Sequence, residues 1–79
     1  MDTFQRLTKL LTKEVTSGFK AEDILPGRSL ENIGGDSLDA VDLRFSIEDE
    51  FGIEVGDDDI DETTSFSDMV ALIDARCAA

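Results

Sequence analysis

Three stretches of the chain repeat their apolar residues at the spacing of an α-helix, and no stretch sustains the two-residue alternation of a strand. The spacing predicts helices over residues 3–17, 37–51 and 66–77. The second helix also has the end signals that sequence can supply, since Asp36 is a good N-cap and Gly52 a good C-terminal stop. We therefore expect an all-α fold in which these helices pack through their apolar faces.

The outer two helices each carry one apolar stripe. In the first helix the stripe comprises Phe4, Leu7, Leu10, Leu11 and Val15. Asp2 or Thr3 is its expected N-cap, and Gly18 stands where a helix C′ residue is expected. In the last helix the stripe comprises Phe66, Met69, Val70, Ile73 and Cys77. Ser65 and Asp68 resemble a capping pair at its start.

The segment between the first two helices, residues 18–36, reads as a long loop. Pro26 and Gly27 mark a turn within it, and we expect its apolar residues to fix the loop onto the core: Phe19, Ile24, Leu30 and Ile33. The acidic stretch 55–62 is expected to hold one short helical turn. The expected architecture is a single domain over residues 1–79, a bundle of three main helices plus one short helix.

The composition excludes several kinds of chemistry. The 79 residues include one cysteine and no histidine. This excludes an internal disulfide, Ser-His-Asp or Cys-His catalysis, and zinc sites that need histidine or several cysteines. Charged residues interrupt the first eleven positions, so they do not read as a signal peptide, and no apolar run is long enough to span a membrane. We expect a cytoplasmic protein that does not insert into membranes.

The charge is strongly negative and unevenly distributed. The net charge is −12, which disfavours binding to nucleic acid. Residues 1–28 carry five basic and four acidic side chains, whereas residues 29–79 carry two basic and fifteen acidic ones. This asymmetry has two interpretations: it keeps the protein soluble, or it forms a docking surface for basic partners.

The second helix has two apolar stripes, where a surface helix needs only one. At about 100° per residue, one stripe is expected to face the core: Leu43, Ile47 and Phe51. The other lies on nearly the opposite side and comprises Leu38, Val41 and Phe45. Acidic residues flank this second stripe: Asp39, Asp42, Glu48 and Asp49. Either the second stripe is a binding face, or both stripes are buried between other helices.

Ser37 is expected at the first position of the second helix. There its hydroxyl lies near unpaired backbone N–H groups and the positive end of the helix dipole, which favours a phosphate ester. Gly34 and Gly35 are expected to leave the approach to it open. The alternative is that Ser37 is only a polar residue that starts the helix.

The run Asp36-Ser37-Leu38-Asp39, followed by Ala-Val-Asp-Leu and later by Ile-Glu-Asp-Glu-Phe-Gly, resembles an acyl carrier protein. The resemblance extends over nearly the whole chain, including the long loop and the Thr63-Thr64 entry to the last helix. It implies that Ser37 carries 4′-phosphopantetheine, which a phosphopantetheinyl transferase adds from coenzyme A, with Asp36 beside the attachment point. The acyl group then rides as a thioester on the arm, and the protein itself is not an enzyme.

The resemblance also assigns roles along the second helix. It implies a monomer whose acidic helix docks basic patches on enzymes that load, elongate and transfer acyl groups in fatty-acid, polyketide or related pathways. The implied partner-binding residues are Leu38, Asp39, Val41, Asp42, Phe45, Glu48 and Asp49. The implied acyl-pocket residues are Leu43, Arg44, Ile47 and Phe51. Arg44 replaces a usually apolar residue; either it pairs with Glu48 one turn on, or it narrows the pocket mouth and favours short or polar cargo.

Several alternatives remain at this point. A peptidyl or D-alanyl carrier would share the arm and differ in cargo, and an unmodified acidic helical adaptor would lack it. Gly35-Asp36-Ser37-Leu38 also spells the motif of GDSL esterases, which the missing histidine excludes. Residues 57–62 have calcium-loop spacing, but Glu62 stands where an EF-hand requires glycine, so no metal site is predicted beyond loose divalent binding. Cys77 is expected to be partly buried, without a chemical role.

Overall fold

The computed structural model describes residues 2–15 and 18–77, and within these ranges it contains helices and turns but no strand. Three helices dominate: α1 over Thr3–Lys9, α2 over Ser37–Phe51 and α3 over Phe66–Cys77. Single-turn 3-10 helices occupy Ala21–Asp23 and Glu31–Ile33. The all-helical bundle predicted from the sequence is confirmed, and the predicted bounds of the second and third helices are the observed ones.

The first helix ends earlier than predicted and changes its winding. After Lys9 it continues as a π-helix over Leu10–Glu14, and the N–H of Val15 donates to the Leu10 carbonyl at 3.0 Å. Val15 itself has extended backbone, so the helix ends before it. The predicted end at Ser17 lies outside the described residues. Gly18 has the left-handed conformation expected of a helix stop (φ 63°), but it stands four residues beyond Glu14, where the helix ends.

Short helical turns lie in a different place from the one predicted. Residues 55–62 form a turn in which the N–H of Asp59 donates to the Gly56 carbonyl at 3.0 Å, and no helix forms there. The two 3-10 helices lie instead within the loop that joins α1 to α2. The apolar spacing of that loop is too irregular to reveal single turns, which need only local backbone hydrogen bonds.

One apolar core joins all the elements. α1 packs on α3, and the π-helix packs on α2. The buried side chains include Leu7, Leu11, Leu43, Ile47, Phe66, Met69 and Ile73. As predicted, the loop contributes to this core: Ile24 and Leu30 are buried, and Phe19 and Ile33 pack against it half-buried.

The long loop is held by backbone hydrogen bonds to the segment before α3. The N–H of Glu31 donates to the Glu62 carbonyl at 2.9 Å, and the N–H of Phe66 donates to the Arg28 carbonyl at 2.8 Å. A third bond joins the N–H of Ser67 to the Pro26 carbonyl at 2.9 Å. Because these bonds satisfy backbone groups at both ends, they fix the loop and the start of α3 to each other.

Two arginines hold the outer parts of the bundle together. Arg6 of α1 forms an ion pair with Glu50 at 2.9 Å, and its guanidinium lies 4.2 Å from the ring centroid of Phe51. Arg76 of α3 binds both carboxylate oxygens of Asp59 at 2.8 Å, which fastens the acidic turn to the end of α3.

No helix in the described part is long and apolar enough to cross a membrane.

Cys77 is exposed, so the prediction that it is partly buried was wrong. It is the last residue of α3, where the helix has passed the end of the core. The apolar stripe of α3 therefore ends at Ile73, which is fully buried. Helical spacing alone cannot show where along its length a helix leaves the core.

Gly35 lies against the core where a side chain has no space. A Cβ atom at this position would lie 3.0 Å from Cζ of Phe19 and 3.1 Å from both Cβ and the carbonyl oxygen of Leu30. We expect Gly35→Ala to lower the free energy of unfolding by about 1–3 kcal/mol through overpacking. Gly27→Ala is the matched control, because a Cβ there meets nothing within 4 Å. Denaturant unfolding that finds equal stability for the two variants would contradict this assignment.

The Asp59–Arg76 pair makes stability depend on acid pH. Hydrogen bonds from Arg76, and then from the Gly56 N–H, hold the pKa of Asp59 below its usual value of 3.8. The folded state therefore binds this proton less readily than the unfolded chain, so the contribution to stability is present above pH 3.8 and is lost as pH falls through the lowered pKa.

We expect Asp59→Asn to destabilise the protein at neutral pH, with a difference from the parent protein that shrinks as the pH falls below about 4. Thermal unfolding at a series of pH values measures it. Asp58→Asn removes the same charge from an exposed neighbour and should leave the acid dependence close to that of the parent. A difference between Asp59→Asn and the parent that stays constant with pH would show that the pair does not couple to protonation.

Candidate functional site

A capping box fixes the start of α2. One carboxylate oxygen of Asp36 accepts hydrogen bonds from the N–H groups of Leu38 at 3.0 Å and Asp39 at 3.1 Å. In return, the Asp39 carboxylate accepts from the Asp36 N–H at 3.0 Å. The predicted N-cap is confirmed. This reciprocal arrangement satisfies backbone donors that the helix cannot satisfy itself and defines the direction in which α2 begins.

Asp39 is part of this structural unit rather than of an exposed acidic surface. Its relative exposure is only 9%, and its carboxylate faces the backbone that it caps. The prediction that Asp39 shares the docking face with Asp42 and Asp49 does not agree with this placement. The sequence signal was available, because an acid three residues after an Asp N-cap is the capping-box pattern.

Ser37 is exposed and is the first residue of α2. The expectation that it lies among unpaired N–H groups is corrected in part, because the N–H groups of Leu38 and Asp39 are already bonded to Asp36. Its side chain thus stands at the positive end of the helix, beside an acidic cap, with open access to solvent.

The two glycines before Ser37 have different reasons to be glycine. Gly34 has a left-handed backbone (φ 90°), which ends the preceding 3-10 helix, and a Cβ there would meet nothing within 4 Å. Gly35 is required by its close approach to Phe19 and Leu30. The packing around Gly35 fixes the backbone that precedes Ser37. The expectation that the glycines leave the approach to Ser37 open stays a prediction.

The second apolar stripe of α2 is exposed. Leu38 is 73% exposed and Phe45 67%, and Val41 between them is half-buried. The interpretation in which both stripes are buried is therefore wrong. Asp49 is exposed and, with Phe45, borders an open groove on this side of the helix. Asp42 is half-buried.

The opposite stripe lies in the core as predicted. Leu43 and Ile47 are fully buried, and Phe51 is half-buried beneath the Arg6 guanidinium. Apolar side chains in these positions hold α2 against the π-helix of the first helical stretch. Through one stripe α2 thus packs on the core, and through the other it exposes apolar side chains to solvent.

Arg44 does not pair with Glu48, so that prediction was wrong. Its guanidinium donates to the Ile60 carbonyl at 2.7 Å and lies 3.3 Å from a carboxylate oxygen of Asp57. Glu48 instead accepts the N–H of Val55 at 2.8 Å. Both side chains therefore bind the segment after α2, a contact that depends on how the chain turns back and that helical spacing cannot reveal.

A protein-family model described as the phosphopantetheine attachment site matches residues 5–73. The chain belongs to this family. The family carries covalently attached 4′-phosphopantetheine, and its members are carrier domains rather than catalytic ones. The match includes the whole of α2 and the start at which Ser37 stands.

The start of α2 fits such an arm. A covalent attachment to serine needs a hydroxyl that an external enzyme can reach, and Ser37 is exposed at a capped helix start. An arm at this place leaves the core intact, because the buried stripe of α2 lies on another side of the helix.

We expect Asp39→Ala to lower the free energy of unfolding by about 1 kcal/mol through loss of half of the capping box. Asp49→Ala, which removes an exposed acid from the same helix, should have a much smaller effect. Chemical denaturation followed by circular dichroism compares them. If Asp49→Ala proves as costly as Asp39→Ala, the structural role given to Asp39 is incorrect.

Proposed function

We propose that Ser37 is the attachment site of 4′-phosphopantetheine and that the protein carries acyl groups as thioesters on that arm. The observation that supports this most is an exposed serine at the capped start of α2, within the region matched by the phosphopantetheine attachment site family. No other serine combines exposure with the first position of a helix in the described ranges.

In this proposal the chain supplies the acceptor and the transferase supplies the base. The Ser37 oxygen forms the bond to phosphorus while the pyrophosphate P–O bond of coenzyme A breaks and adenosine 3′,5′-bisphosphate leaves. The serine proton passes to a group on the transferase, because this chain has no histidine. The capping box holds the backbone of the acceptor in one geometry while the hydroxyl remains in solvent. The protein contributes position, and catalysis belongs to its partner enzymes.

The exposed side of α2 serves as the docking face, which we define as Leu38, Val41, Asp42, Phe45 and Asp49. Exposed leucine and phenylalanine beside acidic groups are suited to a partner that offers an apolar contact within a basic patch. The net charge of −12 adds long-range attraction to such partners. Glu48, which holds Val55, belongs to the edge of this face.

A peptidyl or D-alanyl carrier is the second candidate, because it would use the same arm at the same serine. The acidic residues along α2 favour the acyl carrier, whose successive partners are expected to present basic patches. We further propose that the protein acts as a monomeric single domain in the cytoplasm. Loading assays with acyl, aminoacyl and D-alanyl donors separate these carriers by their cargo.

The attachment is tested by intact mass after incubation with coenzyme A and a broad-specificity phosphopantetheinyl transferase. We expect the parent protein to gain one phosphopantetheine, Ser37→Ala to gain none, and the control Ser46→Ala to behave like the parent. Ser46 lies on the same helix and is half-buried. No gain by a folded parent protein that arrives unmodified would leave an unmodified acidic helical adaptor as the function.

The docking face is tested by reversing its charge. We expect Asp42→Lys combined with Asp49→Lys to slow transfer about tenfold or more at low salt, with a smaller effect at high salt, because docking charges act mainly on association. The double control Glu54→Lys with Asp58→Lys makes the same charge change on exposed residues after α2. Equal transfer rates for the two double variants would remove α2 as the docking face.

A further inference from the structure

Ser37, Arg44 and Glu48 lie along one line of α2. Seven residues turn an α-helix by about 700° and eleven by about 1100°, so both later residues return to within about 20° of Ser37. At about 1.5 Å per residue, Arg44 stands about 10 Å from Ser37 along the helix axis. Any group attached to Ser37 that extends toward the end of α2 passes over this line.

Both later residues on this line bind the segment that follows α2. The Arg44 side chain is only 13% exposed, and its guanidinium donates to the Ile60 carbonyl at 2.7 Å. The Glu48 carboxylate accepts the Val55 N–H at 2.8 Å. We refer to these two hydrogen bonds as the clip, and to residues 55–60 as the clipped segment.

The clipped segment is also seated in the core. Val55 and Ile60, its first and last residues, are both buried. The ion pair of Arg44 with Asp57 adds little, because the Asp57 side chain is 94% exposed and the charges are screened by water. The charge-assisted bond to the Ile60 carbonyl is stronger, since the Arg44 side chain is largely buried. The clipped segment is thus held by hydrogen bonds to α2 and by burial of its two apolar ends in the core.

We propose that the clip closes the core to cargo attached at Ser37, so that Arg44 determines which acyl groups the protein accepts. This rests on the proposed function of Ser37. A long apolar chain that follows the line of Ser37 meets Arg44, which holds the clipped segment, whereas Leu43 and Ile47 are buried on another side of the helix. To pass, it must separate the segment from α2 and leave the Arg44 charge without its carbonyl partner, which is unfavourable in a shielded position.

The clip therefore favours short or polar acyl groups. Such groups are stable in water at the protein surface and gain little from entering a core. A long saturated chain gains free energy from burial in proportion to its apolar area, so it is the cargo that a closed core penalises. Arg44 acts here as a positioning residue, because it holds the clipped segment and makes no contact with the reacting atoms.

The experiment loads the whole protein at Ser37 from acetyl-coenzyme A or dodecanoyl-coenzyme A with a phosphopantetheinyl transferase. Methyl NMR signals of Leu43 and Ile47 report whether the chain enters the core. In the parent protein we expect the same methyl shifts for both cargoes. In Arg44→Met, which keeps length and removes the charge, we expect dodecanoyl but not acetyl to move these signals.

Two control variants and an exchange measurement separate the clip from a general loss of stability. Arg44→Lys retains a charged donor and should restore the behaviour of the parent protein. Arg28→Met removes a charge from an exposed loop residue and should also behave like the parent. Amide exchange in the unloaded protein should be about tenfold faster at Val55 in Arg44→Met than in the parent, with little change at Leu43.

The outcomes are distinguishable. Absence of loading on Ser37 overturns the proposed function and the inference with it. Successful loading with dodecanoyl-induced shifts of Leu43 and Ile47 in the parent protein overturns the inference alone, and this comparison does not depend on a variant that folds. Loading that leaves the methyl signals unchanged in both the parent and Arg44→Met also overturns it.

Discussion

The reciprocal capping of Asp36 and Asp39 is the interaction on which the rest of the arrangement depends. It satisfies the backbone donors at the start of α2 and sets the angle at which the helix leaves the loop. Every later position on the helix inherits that angle: Ser37 in solvent, Leu43 and Ile47 in the core, Phe45 on the opposite side. Gly35 also helps to fix the start of α2, because its lack of a side chain lets the loop backbone lie against Leu30 and Phe19.

A helix that packs on the core with one side and exposes leucine and phenylalanine on the other has unfavourable contacts with water unless a partner covers it. Here the exposed apolar residues are flanked by acids, whose negative charge is complementary to that of a basic surface. The proposed docking face and the proposed attachment point lie on the same element. In this proposal, a partner that binds the docking face is placed beside the arm without any rearrangement of the core.

Helix positions were predictable because their signals are local. Apolar spacing, Asp36 and Gly52 defined α2, and the exposed stripe of α2 was visible as an excess of apolar residues over what one buried face needs. The partners of Arg44 and Glu48 were not predictable, because they lie within residues 55–60, a segment that folds back onto α2. The early end of the first helix was not predictable from apolar spacing. The π-helix keeps the same apolar residues buried although it has more residues per turn than an α-helix.

We propose that the arm is attached to Ser37 and to no other residue. Fragmentation mass spectrometry of peptides from the fully modified protein locates the added mass to a single residue. We expect all of the phosphopantetheine on Ser37. Phosphopantetheine on Ser29, Ser46, Ser65 or another hydroxyl residue would overturn this attachment site, because the capped start of α2 would then have no part in the attachment.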